Sequence, residues 1–155
     1  GRLLAKRARK SFFDSDQVIE ERTGVSIATI FHHEGEEGFR ARERTVIADL
    51  AALDNIVLAT GGGAILSEDN RKSLGSNGFV VYLKAQVEDL WKRTHADKSR
   101  PLLDTENPLE RLKDLFLVRD PIYTALADLV VETGEPNLQT FLNRLEYELI
   151  NARAQ

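Results

Sequence analysis

The 155-residue chain has no cysteine, no methionine, four prolines and a single tryptophan. Without cysteine it can form no disulfide, no thiolate metal site and no cysteine nucleophile, which fits a reducing compartment. Without methionine, and opening on Gly1, it is expected to be less than a whole reading frame, whether processed, cut or recorded in part. Long apolar runs are missing too: Ile56–Ala59 and residues 79–83 fall far short of the roughly 20 residues that span a bilayer, so no membrane helix is expected. Nor is there an excess of positive charge. With 21 basic against 25 acidic side chains the formal charge is −4, which argues against a broad basic surface for nucleic acid. What the chain does have is 42% apolar and 30% charged residues, a balance that excludes disorder and suits one globular domain over residues 1–155.

Residues 1–10 carry five basic side chains and no acid, and read as the end of an amphipathic helix with cations near its C-terminus. Ser11-Phe12-Phe13-Asp14 is a short buried strand. A brief helix ends at Gly24, Ser26 is placed to N-cap the next, and the longest helical pattern runs from Glu36 to Leu53 with Phe39, Val46, Leu50 and Leu53 on its core face. Ile56–Ala59, residues 79–83 and residues 129–131 are apolar without alternation, as in parallel strands covered on both faces. Helices are predicted at 67–74, 86–95, 108–119 and 137–151, the last with Leu138, Phe141, Leu142, Leu145 and Leu149 along one stripe. Alternating strands and helices predict a three-layer α/β/α domain with a mainly parallel sheet.

In such sheets ligands sit beyond the carboxyl ends of the strands. After the first strand come Asp14 and Asp16. In an extended chain they face opposite ways, one toward a metal and one toward a substrate hydroxyl; as acids closing a strand and capping a helix they are purely structural. After the second strand come Gly61, Gly62 and Gly63, a run whose entropy cost is usually offset by close approach of backbone N–H groups to a ligand. Arg40 and Glu43, three apart on the long helix, share a face beside the Phe39 stripe and also fit a solvated ion pair. Arg119 stands where a helix should stop ahead of Pro121. Two arginines and an aspartate converging on one pocket would select a small polyol acid, its carboxylate held by bidentate pairs. Residues 97–103, polar and broken by Pro101, are either an ordinary loop or a lid that brings Arg100 to a phosphoryl group.

Phe13-Asp14-Ser15-Asp16, Glu36-Glu37-Gly38-Phe39-Arg40 with Glu43, Gly61-Gly62-Gly63, Arg100-Pro101-Leu102-Leu103 and Arg119-Asp120-Pro121-Ile122-Tyr123 follow one another in an order and spacing that closely resembles shikimate kinase. The likeness extends over nearly the whole chain. It implies a P-loop NTPase-like fold and transfer of the ATP γ-phosphate to the 3-hydroxyl of shikimate, a step toward chorismate and the aromatic amino acids. By the same resemblance Asp16 would bind the shikimate hydroxyls and help deprotonate the attacking one, and Asp14 would support Mg2+, through water. Arg40 and Arg119 would grip the carboxylate, Glu43 would orient Arg40, and Gly61, Gly62 and Gly63, Gly62 above all, would offer backbone contacts. Arg100 would serve as the lid arginine, in a lid at about 96–107, while Arg93 and Pro136 would flank adenine. The family further implies a cytoplasmic monomer with shikimate and ATP as its small-molecule partners.

One family feature is missing. The phosphate-binding pattern G-x-x-x-x-G-K-[ST] occurs nowhere in these residues. The expectation is therefore a chain that starts about 20 residues late, lacks the central first strand, folds weakly and is inactive alone. A non-catalytic shikimate-binding or regulatory module, and another small-molecule kinase such as one acting on gluconate, are the alternatives.

Overall fold

The computed structural model describes residues 1–94 and 107–154, which fall into two units, Gly1–Gly78 and the part from Phe79 onward. In the first unit the order is α1 (Arg2–Ala8), β1 (Ser11–Asp14), α2 (Ser15–Thr23), α3 (Ile27–Ala51), β2 (Ile56–Ala59), a 3-10 turn (Gly62–Leu66) and α4 (Glu68–Asn77). Lys6 and Arg7 occupy the last turn of α1, where cations complement the helix dipole, and the helix stops at Arg9 in a left-handed conformation. β1 and β2 pair in parallel, with Phe13 opposite Leu58 and Asp14 opposite Ala59. The two strands therefore end side by side, and the segments after Asp14 and Ala59 leave the pair at the same edge.

α3 begins where Ser26 accepts the N–H of Thr29 and is broken at Gly35, whose φ of 72° and ψ of −177° no side-chain-bearing residue holds without strain. Beyond the break Phe39, Val46 and Leu50 pack with Ile19 and Ile30 into the core, flanked by Phe13, Val18 and Leu58. Leu53 does not join them. The backbone N–H of Leu53 turns back to the carbonyl of Leu50, which tightens the helix end and throws Leu53 off the stripe, 45% exposed.

The second unit contains β3 (Val81–Lys84), α5 (Val87–Thr94), α6 (Pro108–Leu126), β4 (Leu129–Glu132) and α7 (Leu138–Arg153). β3 and β4 are parallel, with Val81 opposite Leu129 and Leu83 opposite Val131. β3 starts two residues later than its apolar run because the N–H of Val80 is taken by the Asp128 carboxylate at 2.7 Å. Two-sided burial holds for Val131 but not for its neighbours, since Leu83 and Val130 remain partly in solvent. Asn137 caps α7, its side chain accepting the N–H of Thr140, and Leu142 and Leu145 are buried while Leu138 is exposed.

The expectation that a helix ends ahead of Pro121 is overturned, for α6 runs on to Leu126 with Pro121 inside it. A proline there removes one ladder bond, to the carbonyl of the exposed Leu117, and that oxygen can be hydrated. The flanking residues are fixed from β3: the Tyr82 hydroxyl donates to Asp120 at 2.8 Å, Lys84 approaches the same carboxylate at 3.4 Å, and the Tyr82 and Tyr123 rings lie 4.7 Å apart. Among the described residues no helix is long and apolar enough to cross a membrane.

Candidate active site

The chain is no longer extended after Asp14. β1 ends there and α2 begins at Ser15, so Asp14 is the N-cap, its carboxylate accepting the N–H of Asp16 at 2.9 Å and that of Gln17 at 3.4 Å. The opposed placement expected of an extended Asp14-Ser15-Asp16 is thereby replaced by a cap and a first-turn acid. Asp16, one step into the helix, turns toward the segment after β2. A Cβ added at Gly61 would lie 3.1 Å from its Oδ2 and 3.2 Å from its Oδ1. The Oδ1 atom is buried and has no hydrogen-bond partner among the described residues. Burial first, and then the charges of Asp14 and Glu43, raise the Asp16 carboxyl to about 6, against an opposing pull from Arg40.

Arg40 reaches the same glycine turn from α3. Its Nη1 donates to Glu43 Oε1 at 2.8 Å and its Nη2 to Glu36 Oε1 at 3.4 Å, while the guanidinium lies 5.2 Å from the Phe39 ring centroid. A solvated ion pair is excluded, since the Glu43 side chain is 1% exposed and that of Arg40 16%. Glu43 thus belongs to the buried face with Phe39 rather than beside it. The guanidinium also meets Gly63, where a Cβ would lie 2.7 Å from Cζ. Beneath the turn the buried Asn70 donates to the carbonyl of Ala64 at 2.9 Å. Asp14 and Asp16 also line a cleft of about 660 Å³ with Gln17, Glu20, Glu21 and Ser26.

The structure therefore brings together Asp14, Asp16, Arg40, Glu43, Gly61, Gly62 and Gly63 in the first unit. Arg119, on α6, and Pro136, in the loop between β4 and α7, lie in the second. Arg93 is on α5, with its side chain outside what is described, and Arg100 lies outside the described residues, as does the expected lid at 96–107 apart from Asn107. Sequence reasoning gave no role to Glu36 or Asn70. Glu36 was legible as the i, i+4 neighbour of Arg40; the contact of Asn70 with a carbonyl six residues back has no such periodic trace.

A family model for shikimate kinase matches residues 1–148. The chain belongs to the shikimate kinase family. It is 54% identical over 149 residues to the shikimate kinase of Burkholderia lata, covering 96% of this chain and 81% of that one. It is 52% identical to that of Chromobacterium violaceum, covering 98% and 83% respectively. A solved shikimate kinase from Acinetobacter baumannii in complex with shikimate superposes with a TM-score of 0.96 at 42% identity, over all of this chain and 87% of that chain. The enzyme from Aquifex aeolicus gives 0.82 at 34% identity, over 96% and 86%. The fold is accordingly α/β of the three-layer P-loop kinase class, and a shikimate kinase is a phosphotransferase enzyme. Neither the binding-module reading nor a gluconate-type kinase is favoured by these relatives.

Proposed function

We propose that the chain serves the ATP-dependent phosphorylation of the shikimate 3-hydroxyl, and that its first unit forms the acceptor side of that reaction. The observation that carries the reading is the convergence of the Asp16 carboxylate and the Arg40 guanidinium on the turn from Gly61 to Gly63. A guanidinium held by two carboxylates yet backed by a bare glycine can exchange Glu36, the more distant and more exposed partner, for a ligand carboxylate. Arg119 is the second residue assigned to that carboxylate. Asp16, with an unpartnered buried oxygen and a raised proton affinity, suits hydrogen bonding to a hydroxyl and acceptance of its proton as the oxygen attacks. Gly62, exposed between two buried or half-buried neighbours, is assigned a backbone contact to the ligand. Arg93 and Pro136 are assigned to adenine, and Arg100 to the phosphates. The reading takes the protein to act as a cytoplasmic monomer.

Mg2+ favours one or two carboxylates together with water and substrate phosphates over an all-protein cage. Asp14 fits that demand: both helix-cap bonds go to its Oδ1, so Oδ2 remains for a contact with the ion through water. Bound there through water, the ion would neutralise phosphate charge.

Because these residues contain no G-x-x-x-x-G-K-[ST] pattern, binding rather than turnover isolates the acceptor site. Calorimetric titration with shikimate is expected to show one site, weakened roughly 10-fold or more by R40A and, separately, by R119A. Undiminished binding by R40A would remove the proposed site.

A further inference from the structure

We infer that Gly61 and Gly63 are positioning residues that set acceptor selectivity by leaving room for two side chains, Gly63 seating the Arg40 guanidinium and Gly61 the Asp16 carboxylate. The inference rests on the proposed acceptor site and deepens it.

Glycine is chosen either for backbone freedom or for space, and here the two can be separated. Gly61 has φ −66° and ψ 155°, a conformation open to any residue, and neither Gly61 nor Gly63 is among the glycines with positive φ. At Gly24 and Gly35 the situation is reversed: φ is positive, and among the described residues a Cβ would meet nothing within 4 Å. Backbone freedom explains those two and fails for the turn. Space explains the turn. At Gly63 a Cβ would stand 2.7 Å from Arg40 Cζ and 2.8 Å from Nη1, well inside van der Waals contact, and at Gly61 it would press on both oxygens of Asp16. The entropy that each glycine surrenders on folding is therefore offset by close approach of side chains that the acceptor is to meet.

The group displaced in each case is the far end of a side chain, not backbone. A methyl group at position 63 would push the guanidinium off Glu43 and out of its seat while leaving the fold of the turn in place. At position 61 the contact is tight without overlap, so the carboxylate would shift by a few tenths of an ångström and lose more of its water. The two substitutions should thus spoil different parts of recognition. Gly63→Ala should damage reading of the carboxylate, and Gly61→Ala should displace the carboxylate that meets the hydroxyl.

The test is calorimetric titration of the chain with shikimate and with its methyl ester, which keeps the ring hydroxyls but carries no carboxylate charge. Wild type is expected to prefer the acid, and G63A to lose about 10- to 100-fold in affinity for shikimate but less than about 3-fold for the ester, so that the preference collapses. G61A should keep the preference for the acid and weaken shikimate and its ester alike, by about 3- to 10-fold, because the displaced Asp16 carboxylate meets hydroxyls that both carry. In an R40K background, where the fork is gone, G63A should have no further effect on the acid-to-ester ratio. A wild-type ratio in G63A overturns the inference, as does unfolding of G63A to the same extent in both backgrounds, which would make the glycine a requirement of backbone packing. Wild-type protein that binds neither compound would instead overturn the acceptor site on which the inference rests.

Discussion

Arg40 in the first unit is held by carboxylates of its own helix, Glu36 and Glu43, whereas in the second unit the anchoring falls to the neighbour of Arg119, since Asp120 is bound by Tyr82 and Lys84 of β3. The first arrangement is local and buried. The second reaches across 38 residues of sequence and stabilises a helix through an internal proline. A guanidinium clamped within one helix keeps its place only while its burial is matched by a buried counter-charge. A helix pinned to a strand instead fixes the register of several residues at once, so the loss of one contact should be shared among the rest.

Breaking the first arrangement should have the larger effect. Glu43→Ala leaves a mostly buried guanidinium with its more distant partner, and should cost about 3 kcal/mol of stability, measured by urea denaturation. Next comes the pH response. The folded-state value of Asp16 lies near 6, above its ordinary 3.8, so the folded form binds more protons between these values; stability is greatest below about 4 and falls as the pH rises through 6. With solvent screening of a half-buried carboxylate allowed for, the fall should not exceed about 2 kcal/mol, and Asp16→Asn should abolish it in denaturation midpoints followed from pH 4 to 7. In the second unit Tyr82→Phe removes one hydrogen bond to a carboxylate that keeps Lys84, and should cost about 1.5 kcal/mol. A larger loss from Tyr82→Phe than from Glu43→Ala would reverse the comparison. The smallest effect is expected for Arg42→Ala, which removes the exposed pairing with Glu34 across the Gly35 break and should leave the unfolding midpoint nearly unchanged.

The same division governs what the sequence reveals. Arg40 and Glu43 are three apart on a periodic helix, so their pairing is legible from spacing alone. The burial of Glu43 is not, because a carboxylate inside the core face breaks the apolar pattern used to find that face. Ser26 and Gly24 announced helix ends because capping chemistry is local. Pro121 misled for the complementary reason. Its stop signal is local, and the contacts that override it come from β3, distant in sequence. The glycine run was legible as a place of close approach, but which atoms approach depends on α2 and α3 arriving from elsewhere, and for Gly61 and Gly63 they are side chains of the protein itself.

The most direct test of the acceptor site is a crystal structure of the protein with shikimate bound. The ligand carboxylate is expected within hydrogen-bond distance of the Arg40 guanidinium, with Glu43 retained as its partner, and the ring hydroxyls against Asp16 beside the Gly61–Gly63 turn. Shikimate bound elsewhere, or bound while Arg40 remains engaged by Glu36 and Glu43 alone, would contradict it.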